Sequence, residues 1–417
     1  MILFRPAQVV TGSGSQGALH GKDMQHLVVM TEKSVAITEG KIGGILDNGE
    51  AKRRISAGEE SLDCAGMTVM PGFVDSHTHI LYAGERRDEF IQRLGGAGYS
   101  EILASGNGIL KTVRETRAAS ENDIFRETLK RIRSAILNGT TTMEIKTGYC
   151  LDNPGEEKLV NVLKRMSDSL PISLVGTFLG AHAIPPGTTE DRYVDSIISE
   201  MIPNLPDWIR YVDVFCDSGA FGVDSTRRMF DAAVQSGKKL RLHSDELACI
   251  GCSQLAEEFP VVSVDHLIRA NNASLQSLEK SGSIATLLPT TAYSLSRDSM
   301  PDGRKFMERG IPVAIATDSS PNVPGTDLLE SLFLACTECH MTVEQAVNAM
   351  TVNAAHSIDL GDSKGTIAPG YDADLCVLDI GDYRDLVYMH GNRIVRNVFA
   401  RGSMVVENFS PSRADQD

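Results

Sequence analysis

Short apolar runs punctuated by Gly, Asn and charged residues mark both ends of the chain, while its long middle alternates such runs with helical spacing. Near the amino terminus HLVVM, SVAIT and KIGGI read as strands, and ADLCVLDI and RIVRNVFARGSMVV repeat the pattern near the carboxyl terminus. Neither end has enough residues for a large core of its own. The economical arrangement is one small β-sandwich domain built jointly from residues 1–67 and 357–417, with residues 68–356 as an inserted domain.

The middle segment holds eight β-branched runs that close in polar residues. They are MPGFVDSHTH near 70–79, TTTMEIKT at 140–147, SLVGTFLGAH at 173–182, YVDVFCD at 211–217, LRLHSDE at 240–246, VVSVDH at 261–266, SIATLLPTT at 283–291 and PVAIATD at 312–318. Helical periodicity separates them: in EEKLVNVLKRMSDSL, Leu159, Leu163, Met166 and Leu170 fall at i, i+4, i+7 and i+11. Eight strands with helical crossovers predict an α/β fold, a (β/α)8 TIM-type barrel whose chemistry sits at the carboxyl ends of the strands.

Composition adds little to the fold but narrows the partners. A net charge of -15 opposes binding to nucleic acid or to an anionic membrane surface, so a small-molecule substrate is expected. An anionic substrate would then need a cationic anchor inside the site. No run reaches the roughly 18 apolar residues of a spanning helix, and the amino terminus lacks the pattern of a secretion signal, which predicts a cytoplasmic protein. The eight cysteines are therefore expected as reduced thiols. The pairs Cys249/Cys252 and Cys336/Cys339 stand too far apart for a zinc ribbon and read as core thiols.

The polar closures carry the chemistry. His77 and His79 are two residues apart after an apolar run, so on a strand both rings would face one side and converge on one ion. His243 closes the fifth run and Asp318 the eighth. Three neutral imidazoles and a carboxylate suit one divalent Zn(II) or Fe(II) with a position left for water. Any one of these histidines alone reads equally well as a hydrogen-bonded core residue. Glu246 in HSDEL is placed to move a proton between water and a leaving nitrogen, the alternative being a helix-capping carboxylate. His266 would polarise a substrate carbonyl or serve as a structural hydrogen-bonding group. Lys146 reads as a salt-bridging residue within the barrel.

The set HxH on strand one, His on strands five and six and Asp on strand eight resembles the single-metal type of the amidohydrolase superfamily. Finer stretches, HTHILYAGERRDEF, GYSEILASGNGILKTVRETRAAS, EIKTGYCLD, GAHAIPP, DVFCDSG and HSDEL, are similar to the imidazolonepropionase family. That resemblance implies hydrolysis of the ring amide of 4-imidazolone-5-propanoate to N-formimidoyl-L-glutamate in histidine degradation. It also implies that Arg86 pairs with the substrate carboxylate and that Tyr149 and His182 bind substrate. After Asp318 the family commonly reads Phe-Asn-Pro-Gly, whereas this chain reads SSPNVP at 319–324. Ser320 stands where an asparagine would hold substrate, and Asn322 is the candidate to share that work. A second departure is Gly-Asn-Gly-Ile at 106–109 in place of Gly-Gly-Gly-Ile. Other readings that use the same ion are a deaminase and a hydrolase of another small cyclic amide or amidine. An inactive scaffold relative is the non-enzyme alternative. A homodimer is the expected assembly.

Overall fold

In a computed structural model of the chain, the residues described are 1–13, 17–96, 108–295 and 299–407. Gly106 and Asn107, which carry the second departure, lie outside them. Before the barrel come β1 (Ile2–Phe4), β2 (Gln8–Gly12), β3 (Leu27–Met30), β4 (Lys33–Thr38), β5 (Lys41–Asp47), β6 (Ser61–Asp63) and β7 (Thr68–Pro71). The barrel strands are β8 (Phe73–Asp75), β9 (Thr140–Lys146), β10 (Ser173–Ala181), β11 (Ile209–Cys216), β12 (Lys239–Ser244), β13 (Val261–His266), β14 (Ile284–Leu287) and β15 (Val313–Ile315). Near the other end lie β16 (Leu375–Leu378), β17 (Val395–Ala400) and β18 (Ser403–Glu407).

The strands from the two ends share a sheet. Its order is β18-β17-β16-β7-β2-β3, and a second sheet runs β5-β4-β1-β6. Leu3, Val35 and Ile42 of the second sheet pack with Val9, Val69, Leu375 and Phe399 of the first, so one apolar layer is buried between them.

β8 to β15 form a parallel sheet in sequence order, as crossover helices require. Its two edges meet beyond the last regular pairs: His79 N–H donates to the Ser319 carbonyl at 2.8 Å and Asp318 N–H to the His77 carbonyl at 3.1 Å. The crossovers follow the apolar spacing. In the helix Asn153–Ser169, Leu159, Leu163 and Met166 are buried, Asp152 caps Gly155 N–H, and Pro154 occupies the first turn where its missing donor costs nothing. Leu170, expected on the same stripe, is the residue that leaves the helix in extended conformation.

Three sequence expectations need correction. The run near 70–79 is two strands, because Gly72 divides it: a Cβ there would lie 2.3 Å from Thr141 Oγ1, so the chain passes too close for any side chain. Residues 68–71 pair with β16 and only 73–75 enter the barrel. Of the run at 283–291, only Ile284–Leu287 is strand, and Pro289–Leu295 is helix. Finally, Cys216 and Cys252 form a disulfide rather than staying reduced. Cys216 closes β11 and Cys252 follows the connection after β12, so the barrel places side by side two residues that sequence spacing does not associate.

Candidate metal centre and active site

Strand register brings the donors together. His243 on β12 lies opposite Asp265 on β13. The seam between the first and last barrel strands places His77, His79 and Asp318 beside one another, past the regular ends of β8 and β15 rather than on the strands themselves. His77 Nε2 and His243 Nε2 stand 3.1 and 3.2 Å from His79 Nε2, and Asp318 Oδ1 lies 3.5 Å from His77 Nε2 and 3.3 Å from His79 Nε2. All four side chains are buried.

The chemistry of these atoms points to a cation. Asp265 Oδ2 meets His77 Nδ1 at 2.6 Å and Asp213 Oδ1 meets His243 Nδ1 at 3.0 Å, which assigns the ring proton to Nδ1 in both. Their Nε2 lone pairs are left bare and converge on His79. Unless a positive species lies between them, two bare acceptors face a single shared ring. Burial, with the Lys146 charge next, holds the His77 and His243 pKa values well below the usual imidazole range, and burial does the same for His79. Neutral rings are the ligand form. The donor set therefore fits one divalent ion.

His266 faces the same point. Its ring centroid lies 5.6 Å from that of His77 and 5.2 Å from that of His243. A regular strand would send Asp265 and His266 to opposite faces. His266 instead adopts φ 77°, and this left-handed turn aims both side chains inward. Asp318 at φ 52° and Asp245 at φ 56° are similar, so left-handed backbone gathers at the mouth of the barrel, where it is most often kept for function.

Glu246 follows β12, with Oε2 at 3.6 Å from His266 Nε2. Asp217 holds its connection: the carboxylate accepts the N–H groups of Glu246, Leu247 and Ala248 at 2.8 to 2.9 Å. Burial, then the Asp318 and Asp217 charges, pushes the Glu246 carboxyl up to about 8. Burial raises Asp318 to about 7, partly offset by the Thr291 hydroxyl, which donates to Oδ2 at 2.7 Å. His266 and His182 are both lowered by burial to about 4.

The residues expected on the substrate are spread around this centre. His182 stacks on His79 with centroids 4.9 Å apart, and Tyr149 tilts against His182 at 5.1 Å. Gly148, at φ 108°, lets the turn pass: a Cβ there would lie 2.4 Å from the Leu179 carbonyl oxygen. Its own carbonyl meets His182 Nδ1 at 3.1 Å. Arg86 is buried, but Glu89 engages its Nε and Nη2 at 2.7 and 2.5 Å, leaving the other N–H groups of the guanidinium, as far as the described residues go, for a further acceptor. Ser320 and Val323 exchange backbone hydrogen bonds in a tight turn, which leaves the Ser320 hydroxyl on Val323 N–H at 3.4 Å. Asn322 Oδ1 is buried without a partner among the described residues.

The Amidohydrolase family profile matches residues 261–405. Imidazolonepropionase from Thermoplasma acidophilum is 41% identical over 96% of this chain and 95% of its own length. That from Picrophilus torridus is 41% identical over 98% and 99%, and that from Geobacillus kaustophilus 38% over 98% and 98%. The chain belongs to the imidazolonepropionase family. Among solved structures, the zinc complex of atrazine chlorohydrolase from Arthrobacter aurescens is similar with a TM-score of 0.69 at 15% identity, covering 99% of this chain and 97% of that one. Guanine deaminase from E. coli gives a TM-score of 0.71 at 14% identity, covering 98% and 100%. These two establish a shared fold.

In this imidazolonepropionase-family chain, sequence reasoning missed Asp213, Asp265 and Thr291, each bonded to a donor residue of the centre. The available signal was a carboxylate inside an otherwise apolar strand, as in YVDVF and VVSVDH.

Proposed function

We propose that the chain hydrolyses the ring amide of 4-imidazolone-5-propanoate, releasing N-formimidoyl-L-glutamate. The observation that carries this reading is the full-length likeness at 41% identity, supported by two overlapping groups of possible metal donors, His77, His79 and His243 and His77, His266 and Asp318. His77, His79, His243 and Asp318 would hold one Zn(II) or Fe(II). When bound, such an ion lowers the pKa of water toward neutrality and polarises a carbonyl.

The chain's own residues supply the rest. Glu246 accepts the proton of the attacking water, with Asp318 as the other acceptor within the site, and returns it to the ring nitrogen as the C–N bond breaks. One water is consumed and nothing else leaves. His266, kept neutral by burial, steadies the carbonyl oxygen as charge develops on it. Arg86 binds the propionate carboxylate, and Tyr149 and His182 fix the ring so that its carbonyl faces the water. Ser320 and Asn322 line the same mouth as further substrate contacts. The reading includes a homodimer in the cytoplasm, the assembly to be read by light scattering. No helix of the described residues is long and apolar enough to cross a membrane.

The test is loss of imidazolonepropionate absorbance on purified, metal-analysed protein, with ammonia measured in parallel. Ring opening without ammonia is expected. Ammonia release would indicate a deaminase, and metal-loaded protein inert to imidazolones and lactams would exclude the hydrolase.

A further inference from the structure

We propose that Lys146 is a positioning residue for the metal centre, a single buried ammonium that sets the His77 and His243 rings through one carboxylate each. The inference rests on the hydrolase reading above and concerns a layer of the barrel that reading leaves unused. Glu144 and Lys146 stand two residues apart on β9, so both side chains enter the barrel. Lys146 Nζ donates to Glu144 Oε1 at 2.9 Å and to Asp213 Oδ2 at 2.8 Å, and it lies 4.0 Å from Asp265 Oδ2. Asp213 turns its other oxygen to His243 Nδ1, and Asp265 presents Oδ2 to His77 Nδ1. Two ligand rings therefore rest on one ammonium, with no exposed surface on Lys146, Asp213 or Asp265.

The two arms are not equally secured. Arg241 also supports Asp265: its Nη2 donates to Oδ2 at 3.0 Å and to the Ser76 carbonyl at 3.0 Å, and its Nη1 donates to the Ser357 carbonyl at 2.6 Å. Among the described residues Asp213 has Lys146 as its cationic partner. Removing the ammonium leaves a buried carboxylate oxygen without charge or donor, which is costly, and the carboxylate turns to whatever donor remains. The His243 ring follows, because its rotation is held through Nδ1.

A bare electrostatic view predicts the opposite sign. Lys146 repels a dication, so its removal should tighten binding if charge alone matters. The direction of change therefore decides between the two.

Metal-free protein is titrated with Zn(II) and Co(II) against a chromophoric chelator. For wild type, one ion per chain is expected. Lys146→Met, close in length and uncharged, should bind about 10–100-fold more weakly, the range seen when partners of metal-bound histidine are lost. Its Co(II) visible spectrum should also differ from wild type at full occupancy, a change that general loosening of the fold would not produce. Asp213→Asn, which keeps Lys146, should shift affinity in the same direction, and it decides the matter if Lys146→Met does not fold: unchanged affinity there overturns the proposal. Equal or tighter binding by folded Lys146→Met, with wild type binding one ion, overturns the positioning role and leaves the hydrolase reading standing. Wild type that takes up no divalent ion overturns both.

Discussion

The groups that would hold the ion and those that would hold the substrate stand on different kinds of backbone. The ion side is fixed by barrel register and the closing seam, and three of its donors have a partner of their own: His77 on Asp265, His243 on Asp213, Asp318 on Thr291. The substrate side is carried by connections. Arg86 precedes a short helix and is already engaged by Glu89, Ser320 is folded into its own turn, and Asn322 holds a buried oxygen that nothing meets among the described residues. One half is pre-organised, whereas on the proposed reading the other would exchange internal contacts for substrate, so ion binding and substrate binding should fail separately under mutation.

The largest effect belongs to the pre-organised half. Asp318→Ala or His243→Ala should lose the ion and reduce kcat by about 10³-fold or more, since the ion is worth several kcal/mol to the transition state. Elemental analysis checks the first part and turnover the second. Retention of both would break the division. Glu246→Gln comes next. It should keep the ion and a near-normal KM while kcat falls about 10²–10⁴-fold, the range for a lost proton-transfer group. A KM rise with kcat intact would move Glu246 to the substrate half.

Arg86→Gln should produce the reverse split. A charge-assisted hydrogen bond contributes about 1.5–3 kcal/mol, so KM should rise about 10–150-fold with kcat and ion content little changed. Glu89→Gln sharpens this, because Glu89 steadies the guanidinium and, on the proposed reading, would compete with the incoming carboxylate. A KM that moves far less than in Arg86→Gln would mean the two roles offset, and a KM that does not respond to Arg86→Gln at all would remove the anchor.

This division also decides what could be read from the sequence. Six of the eight barrel runs place their strands within a few residues, because apolar β-branched blocks between helical stripes have one economical arrangement. The donors followed from their position after those blocks. Reasoning from strand alternation alone nevertheless puts His77 and His79 on the strand, whereas β8 ends at Asp75 and their convergence comes from the seam with Ser319. His266 shows the limit more sharply: alternation separates it from Asp265, and only a left-handed φ unites them, which no spacing rule announces. The Cys216–Cys252 disulfide is illegible for a related reason, since it joins the end of one strand to the connection after the next. Resemblance made Arg86 the candidate anchor, but its pairing with Glu89 was not read, although the i,i+3 spacing was there to be seen.

The smallest effect is on stability, and it tests whether the buried donor set is arranged for an ion. In chelated protein Asp75 and Asp318, raised by burial to about 7, and Glu246, raised to about 8, are held protonated by the fold. Unfolding returns them to ordinary carboxyl values, so the folded state binds more protons, and their contribution is present in full below those values and lost as pH rises through 7 and 8. The depressed histidines act oppositely and outnumber them: His182 and His266, at about 4, with His77, His79 and His243 held lower still by burial, impose a cost in acid that is relieved as pH rises toward 6.5. The chelated protein should therefore have its highest Tm near neutrality and lose several degrees above it. A bound dication favours the ionised carboxylates, so the metal-loaded protein should keep its Tm over the same alkaline range. Thermal melts from about pH 5 to 9, with and without chelator, read both limbs. Parallel curves for the two states would show that the acidic groups at the barrel mouth do not sense an ion, which would separate their burial from the metal centre.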